Sequence, residues 1–297
     1  MLSKFLDPKN DVAFRKIFGT EKNKDILIHF LNDMITFKGE GHGQITAVTF
    51  LKTVQDPDTA TKKSSIVDIL CTDQRGNQYI VEMQVAKEKG FAKRAQYYAS
   101  KAYVSQAHAG GEYVQLKEIV FLAITDFVMF PEKKGYKSDH VILDRDSHEN
   151  DLKDFSFTFV ELPKFSKAID QLIDVTDKWA YFFKHAEETD EDDLQRIIAG
   201  EAALERAFEE LNRFHWSNEE LRSYEQAEKY ENAYRASLAQ KFDEGERLGL
   251  EKGVREGLRQ VARNCLAQGM GVEAILRLTG LDVEEIEALK AEPISRE

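Results

Sequence analysis

Residues 64–85 read SSIVDILCTDQRGNQYIVEMQV, and how they pair decides the fold. Two β-branched, apolar runs, 64–70 and 78–85, flank the polar loop 71–77. Runs of this kind bounded by Asp, Gly and Asn form the strands of a hairpin. With Gly76 in the left-handed position of a three-residue loop, the turn centres on Arg75. That register sets Asp68 opposite Glu82, with Cβ atoms about 5 Å apart. Gln84, two positions beyond Glu82, lies on the same face. Each run thus carries one acid where an apolar residue is expected: Asp68 between Val67 and Ile69, Glu82 between Val81 and Met83. Solvent-facing acids on a half-exposed hairpin would give the same alternation. In strands covered on both faces, however, two apposed acids repel unless a cation lies between them. The pattern therefore predicts a site for a hard, oxygen-binding cation such as Mg²⁺.

Outward from the hairpin the pattern is α/β. Val12, Phe14, Ile17 and Phe18, then Ile26, Leu27, Phe30, Leu31 and Met34, recur at helical spacing, the first helix opening at Asp7-Pro8. Residues 44–54 read as the first strand, and a helix is expected from about Lys87 to Ala109. The unbroken apolar run 119–124 is a strand covered on both faces, placed by a crossover parallel to the second hairpin strand. Segments 140–146 and 155–162 add two strands. After Pro163 the strand signals stop, and the cluster Trp179, Tyr181, Phe182 and Phe183 reads as a packing face.

Three segments are expected: a core over 1–165, a helical extension over 166–240, and a tail over 241–297. The tail has Gly245, Gly249, Gly253 and Gly257 in a strict four-residue repeat. Interior glycines cost a helix about 1 kcal/mol each, so the repeat is expected either to pack closely through its glycine stripe or to fray. The closing stretch 261–291 is punctuated like a small helix-turn-helix. Its last segment carries Asp282, Glu284, Glu285 and Glu287 against Lys290 alone, which disfavours contact with phosphates.

Composition narrows the classes. Cys71 and Cys265 form neither a disulfide framework nor a metal spacing, which suits a reduced, cytoplasmic protein. No secretory h-region and no membrane-length apolar run is present. The histidines lack zinc spacing and no phosphate-binding glycine loop occurs. A net charge of −12 is unfavourable for a nucleic-acid partner. Yet residues 61–118 hold nine basic side chains against six acidic ones, two of the acids being Asp68 and Glu82.

An Asp followed fourteen positions later by E-x-Q, leading into a long helix, resembles the PD-(D/E)XK nuclease superfamily. More narrowly, the chain is similar to the Rpn family of recombination-promoting nucleases and putative transposases. The segments that carry the likeness are DPKNDVAFRKIFG (7–19), KDILIHFLNDMI (24–35), VDILCTDQRGNQYIVEMQV (67–85), RAQYYASKAYVSQ (94–106), EIVFLAITDFVMF (118–130), the glycine repeat and the final helices. The likeness implies a restriction-endonuclease-like core, a mixed sheet flanked by helices, with an all-helical C-terminal extension. It implies a Mg²⁺-dependent endodeoxyribonuclease, Mn²⁺ being a possible substitute, that promotes recombination or acts with mobile elements. Asp68 and Glu82 take the metal-ligand positions, joined by the Met83 backbone carbonyl, and Gln84 stands where the superfamily has lysine.

Gln84 carries no charge, so it is assigned to orienting water or the metal shell by hydrogen bonds. The missing cation is expected from the next helix, where Lys93, Arg94, Tyr97 and Lys101 cluster at steps of three and four. Asp11, on the first helix, is a further candidate near the metal. The expected partner is double-stranded DNA, with no membrane, and a homo-oligomer formed through the helical C-terminal region. The alternative is a catalytically silent descendant of the nuclease fold that binds DNA or a partner.

Overall fold

The computed structural model describes residues 3–36, 43–55, 65–107 and 111–291. Its strands are β1 (Val48–Phe50), β2 (Val54–Gln55), β3 (Ser65–Ile66), β4 (Ile69–Asp73), β5 (Gln78–Gln84), β6 (Ile119–Thr125), β7 (Lys137–Val141) and β8 (Phe155–Glu161). Six form one mixed sheet in the order β1-β4-β5-β6-β8-β7, and β2 pairs with β3 separately. The hairpin β4–β5 is antiparallel, and β5, β6 and β8 run parallel.

The turn sets the register. Gly76 adopts φ +91°, which L side chains rarely adopt. The buried Asp73 carboxylate accepts bonds from the backbone N–H groups of Arg75 and Asn77 and from the Tyr79 hydroxyl. Ile69 therefore faces Val81, and Thr72 faces Gln78. Continuing that pairing by one residue brings Asp68 to Glu82.

The sheet is covered unequally. Val81, Met83, Val120, Leu122, Ile124 and Val160 join one cluster with α1 (Asp11–Phe18) and α2 (Lys24–Met34). Among the described residues the opposite side meets a single helix, α3 (Phe91–Ser105), through Phe91, Ala95, Ala99 and Ala102 over Ile80, Phe121 and Ala123. Alanines on that stripe let the helix approach the sheet closely. Helices α4 (Val175–His185), α5 (Glu191–Ile198) and α6 (Ala202–Leu211) then add to the α1–α2 side. There Trp179 and Phe183 pack against Phe18 and Phe30, and Phe182 packs on Trp179 and Phe183 in turn.

Several elements differ from the sequence expectation for identifiable reasons. The first helix starts at Asp11, not at Pro8, because buried Asn10 caps it: its Oδ1 accepts from Val12 N and its amide donates to Tyr224 O. The strand expected over 64–70 is broken, with Asp68 in a bend just before β4. Helix α3 begins four residues late, after Gly90 at φ +85°. The strand expected over 140–146 lies instead at 137–141, because Asp144 turns the chain by accepting from Asp146 N and Ser147 N.

Helix α7 (Asn218–Ala267) runs unbroken for 50 residues through all four repeat glycines. A Cβ placed on Gly245, Gly249, Gly253 or Gly257 would meet nothing within 4 Å. The expected close packing of the stripe is thus not found among the described residues, and the helix does not fray there. The chain divides into compact units over 1–229 and 230–297. In the second, the end of α7 packs with α8 (Val272–Thr279) and α9 (Val283–Ala291) around Ala262, Ile275, Leu281, Ile286 and Leu289. Gly280, at φ +70°, makes the turn between α8 and α9. Among the described residues no helix is long and apolar enough to cross a membrane.

Candidate metal centre

Glu82, only 3 % exposed, sits near the carboxyl end of β5, where that strand outruns β4. Two reciprocal bonds tie it to Asp68. The backbone N–H of Asp68 donates to Glu82 Oε1 (3.2 Å), and that of Met83 donates to Asp68 Oδ2 (2.9 Å). The bend at Asp68 makes this exchange possible, because it frees the Asp68 N–H from the ladder.

Electrostatics mark the pair as short of positive charge. Burial first, then the Asp68 carboxylate, push Glu82 up to about 8. Burial also raises Asp68, helped by the charge of Asp11 and opposed by the Met83 N–H and by Arg15. Two cations border the pair. Arg15 Nη2 donates to Asp68 Oδ1 (3.2 Å) and pairs with Asp11 Oδ1 (3.2 Å). Arg94 Nη2 donates to Gln84 Oε1 (2.5 Å) while its Nη1 bonds Glu88. Since guanidinium only donates, the Gln84 amide must turn its oxygen to Arg94 and its NH₂ to the carboxylate. Gln84 Nε2 indeed donates to Glu82 Oε2 at 3.0 Å.

The structure thus brings together Asp68, Glu82, Gln84, Arg94 and the Met83 backbone, with Asp11 attached through Arg15. Lys93 and Tyr97 make no hydrogen bond or ion pair with this group. Lys93 is exposed, and Tyr97 rests against Tyr98 with its ring nearly half exposed. Two participants escaped the sequence reading. Arg15 stands four residues after Asp11, an i,i+4 acid–base pair that helix spacing could have exposed. Tyr98 lies one position from the expected face, close enough for Glu82 and Asp68 to help raise its hydroxyl above its usual value, after burial.

Among the described residues, no three His, Cys, Asp or Glu side chains converge to hold a metal ion. The donor set here is two carboxylates with neutral oxygens nearby. It suits a hard divalent cation on one observation: buried Glu82 and part-buried Asp68 stand side by side with raised pKa values, a conflict that added positive charge relieves.

Residues 8–241 match the model of the PD-(D/E)XK nuclease family transposases. The chain belongs to that family. Residues 255–291 match a second description, the Rpn/YhgA-like nuclease family, C-terminal HTH domain. No curated protein and no solved structure matches the chain at a significant level. The family match places the nuclease fold on the six-stranded sheet and names the α8–α9 unit a helix-turn-helix. That unit is less acidic in effect than its sequence implied, because Arg255 and Arg259 both pair with Glu285.

Proposed function

We propose that this family member is a Mg²⁺-dependent endodeoxyribonuclease that cuts double-stranded DNA in the cytoplasm and thereby promotes recombination. The observation that carries the reading is the pairing of buried Glu82 with part-buried Asp68, joined by two backbone bonds and lacking a full complement of positive charge. Asp68, Glu82 and the Met83 carbonyl would hold the ion, with Mn²⁺ able to replace it. When bound, a divalent ion supplies an acidified water and a clamp on phosphate oxygens.

The protein's own groups divide the remaining work. Met83 N–H fixes the Asp68 carboxylate, so one of its oxygens stays aimed while the other is shared with Arg15. The Gln84 amide fixes Glu82 and passes on the orientation imposed by Arg94, whose charge sits where this motif lacks a lysine. Arg94 stacks over the Phe91 ring at 4.9 Å, which restricts its swing. Arg15, half exposed at the mouth, is placed to release Asp68 and meet an incoming phosphate. The exposed acids of α9, Glu284 and Glu287, make the second unit a weak reader of DNA, better suited to assembling copies of the chain.

The test is incubation of the purified chain with supercoiled plasmid, with and without Mg²⁺. Metal-dependent nicking lost in Asp68→Ala supports the reading. Equal nicking by wild type and Asp68→Ala would reject it.

A further inference from the structure

The thinly covered side of the sheet holds a second concavity, on the opposite flank of α3 from the carboxylates. A cavity of about 400 Å³ opens between α3 and the outer strands β8 and β7. Phe157, Phe159, Phe130 and His140 line one side, and Gln96 and Ser100 of α3 line the other. The volume falls in the usual range of small-molecule sites.

Its position relative to the candidate centre is fixed by the ladder. Glu82 pairs with Ala123, and Ala123 with Phe159. Glu82 and Phe159 therefore share one rung, two strand spacings or about 10 Å apart. Helix α3 lies over the small Ala123 between them. Arg94 faces the carboxylates, while Ala92 and Gln96, two residues to either side, line the cavity, as expected of positions about 200° apart on a helix. A strand rounding the amino end of α3 would pass both.

The lining chemistry defines the occupant. Phe130 and His140 each meet the Phe159 ring edge-on, at 5.4 and 5.5 Å, so flat surfaces stand at right angles. No lining residue is acidic, and the two acids that act on His140, Asp139 and Glu161, are paired with Lys137 and Lys164. Lys133 sits over the Phe130 ring and 3.5 Å from His140 Nε2, which adds positive charge at the rim. Burial and then Lys133 hold His140 below its usual pKa; its Nε2 faces Lys133 and Ser138 Oγ, which leaves Nδ1–H as the donor the ring offers. Gln96 uses its NH₂ on Ala92 O, and its Oε1 has no partner among the described residues. Flat walls, a neutral donor–acceptor lining and a positive rim complement a planar heteroaromatic ring attached to phosphate.

We propose that this cavity receives one unstacked nucleobase of a DNA strand held at the Asp68–Glu82 centre. The identity of that strand rests on the nuclease reading above, whereas base capture is measurable without cleavage. Aromatic platforms bind bases without regard to sequence, because every base has a π-face.

The test compares the full wild-type chain with Ser100→Trp and Gln96→Trp, which fill the cavity from exposed positions of α3 and remove no core group. The probe is a short single strand carrying one 2-aminopurine, with the matched duplex and an abasic strand as references. Binding is read with Ca²⁺ and again with chelator, and folding is verified by circular dichroism. Wild type should prefer the single strand over the duplex and change the 2-aminopurine fluorescence. Both filled variants should lose the fluorescence change and bind the single strand roughly tenfold more weakly, about the share of one stacked base. The abasic strand should not distinguish the proteins. Equal single-strand affinity and fluorescence in all three proteins would overturn the proposal. So would a changed oligomeric state in the filled variants with unchanged DNA affinity, which would mark the cavity as a contact between copies. A plasmid that is never nicked, beside an intact difference between wild type and the filled variants, would remove the nuclease reading and leave base capture standing.

Discussion

Glu82 and Glu161 stand near the carboxyl ends of β5 and β8, the two parallel strands that flank β6, and both are almost fully buried. Their surroundings resolve the buried charge in opposite ways. Glu161 accepts from the backbone N–H groups of Met129 and Phe130 and pairs with Lys164, itself nearly buried, at 2.7 Å. Glu82 accepts from one backbone N–H and one neutral amide, beside a second carboxylate. A carboxylate that holds an architecture together is given its cation by the chain. On the proposed function, one that works on a substrate is left to take its cation from outside the chain, and the fold bears the cost until it does.

The contrast breaks most sharply in activity. Asp68→Ala and Glu82→Ala are expected to lower metal-dependent plasmid nicking by on the order of 10³-fold, as loss of a charge-stabilising group at a reacting centre does. The fold should persist in both. Nicking within a few-fold of wild type in either variant, measured at saturating Mg²⁺, would erase the distinction between the two glutamates.

Stability comes next. Lys164→Met strands Glu161 as an unpaired buried charge and should cost about 3–5 kcal/mol in denaturant unfolding. The folded fraction should nick DNA as wild type does. An unchanged unfolding midpoint would show that Glu161 does not depend on its lysine.

Gln84→Lys probes the amide between Glu82 and Arg94. The new ammonium would sit beside the guanidinium and compete with Mg²⁺ for the same carboxylates, so activity should fall by roughly tenfold. The Mg²⁺ concentration for half-maximal rate should rise. Superimposable rate curves for the two proteins would remove the orienting role from Gln84.

The smallest effect is a pH-dependent shift in melting. Glu82 has its folded-state pKa raised from the ordinary value of 4.5 to about 8. Across that window the metal-free folded chain retains a proton that the unfolded chain has lost, so stability declines as pH rises. Glu82→Gln removes the decline. Its melting point should exceed that of wild type by a few degrees at pH 8 in chelator, with the gap closing toward pH 5. Added Mg²⁺ should raise wild type alone. A gap independent of pH would mean that Glu82 is not the group that titrates.

The sequence made the hairpin legible because three local signals agreed: a glycine needing positive φ, alternating β-branched runs, and acids placed symmetrically about Arg75. The strand read at 119–124 was equally plain as an unbroken apolar run, which the structure extends to Thr125 with every residue buried. What escaped depended on contacts distant in sequence. Asn10, not Asp7, caps α1 because Tyr224 holds it, and no local pattern near residue 10 reports that partner. Arg15 reaches Asp68 across 53 positions of chain. The glycine repeat misled for another reason. Helix propensity prices each glycine singly, whereas a 50-residue helix is sustained cooperatively through a locally unfavourable stretch.

The Asp73 turn has a consequence for how this lineage can change. Hairpin tips ordinarily accept insertions, since they project from the fold and carry few contacts. Here the loop over 74–76 acts as a counter. One residue added or removed would advance β5 by a single step, exchanging Glu82 for Val81 or Met83 on the face opposite Asp68. A length change that is neutral to folding elsewhere would be read at this tip as the loss of an acid seven positions beyond Arg75. Active descendants should therefore vary this loop in composition while its length stays constant.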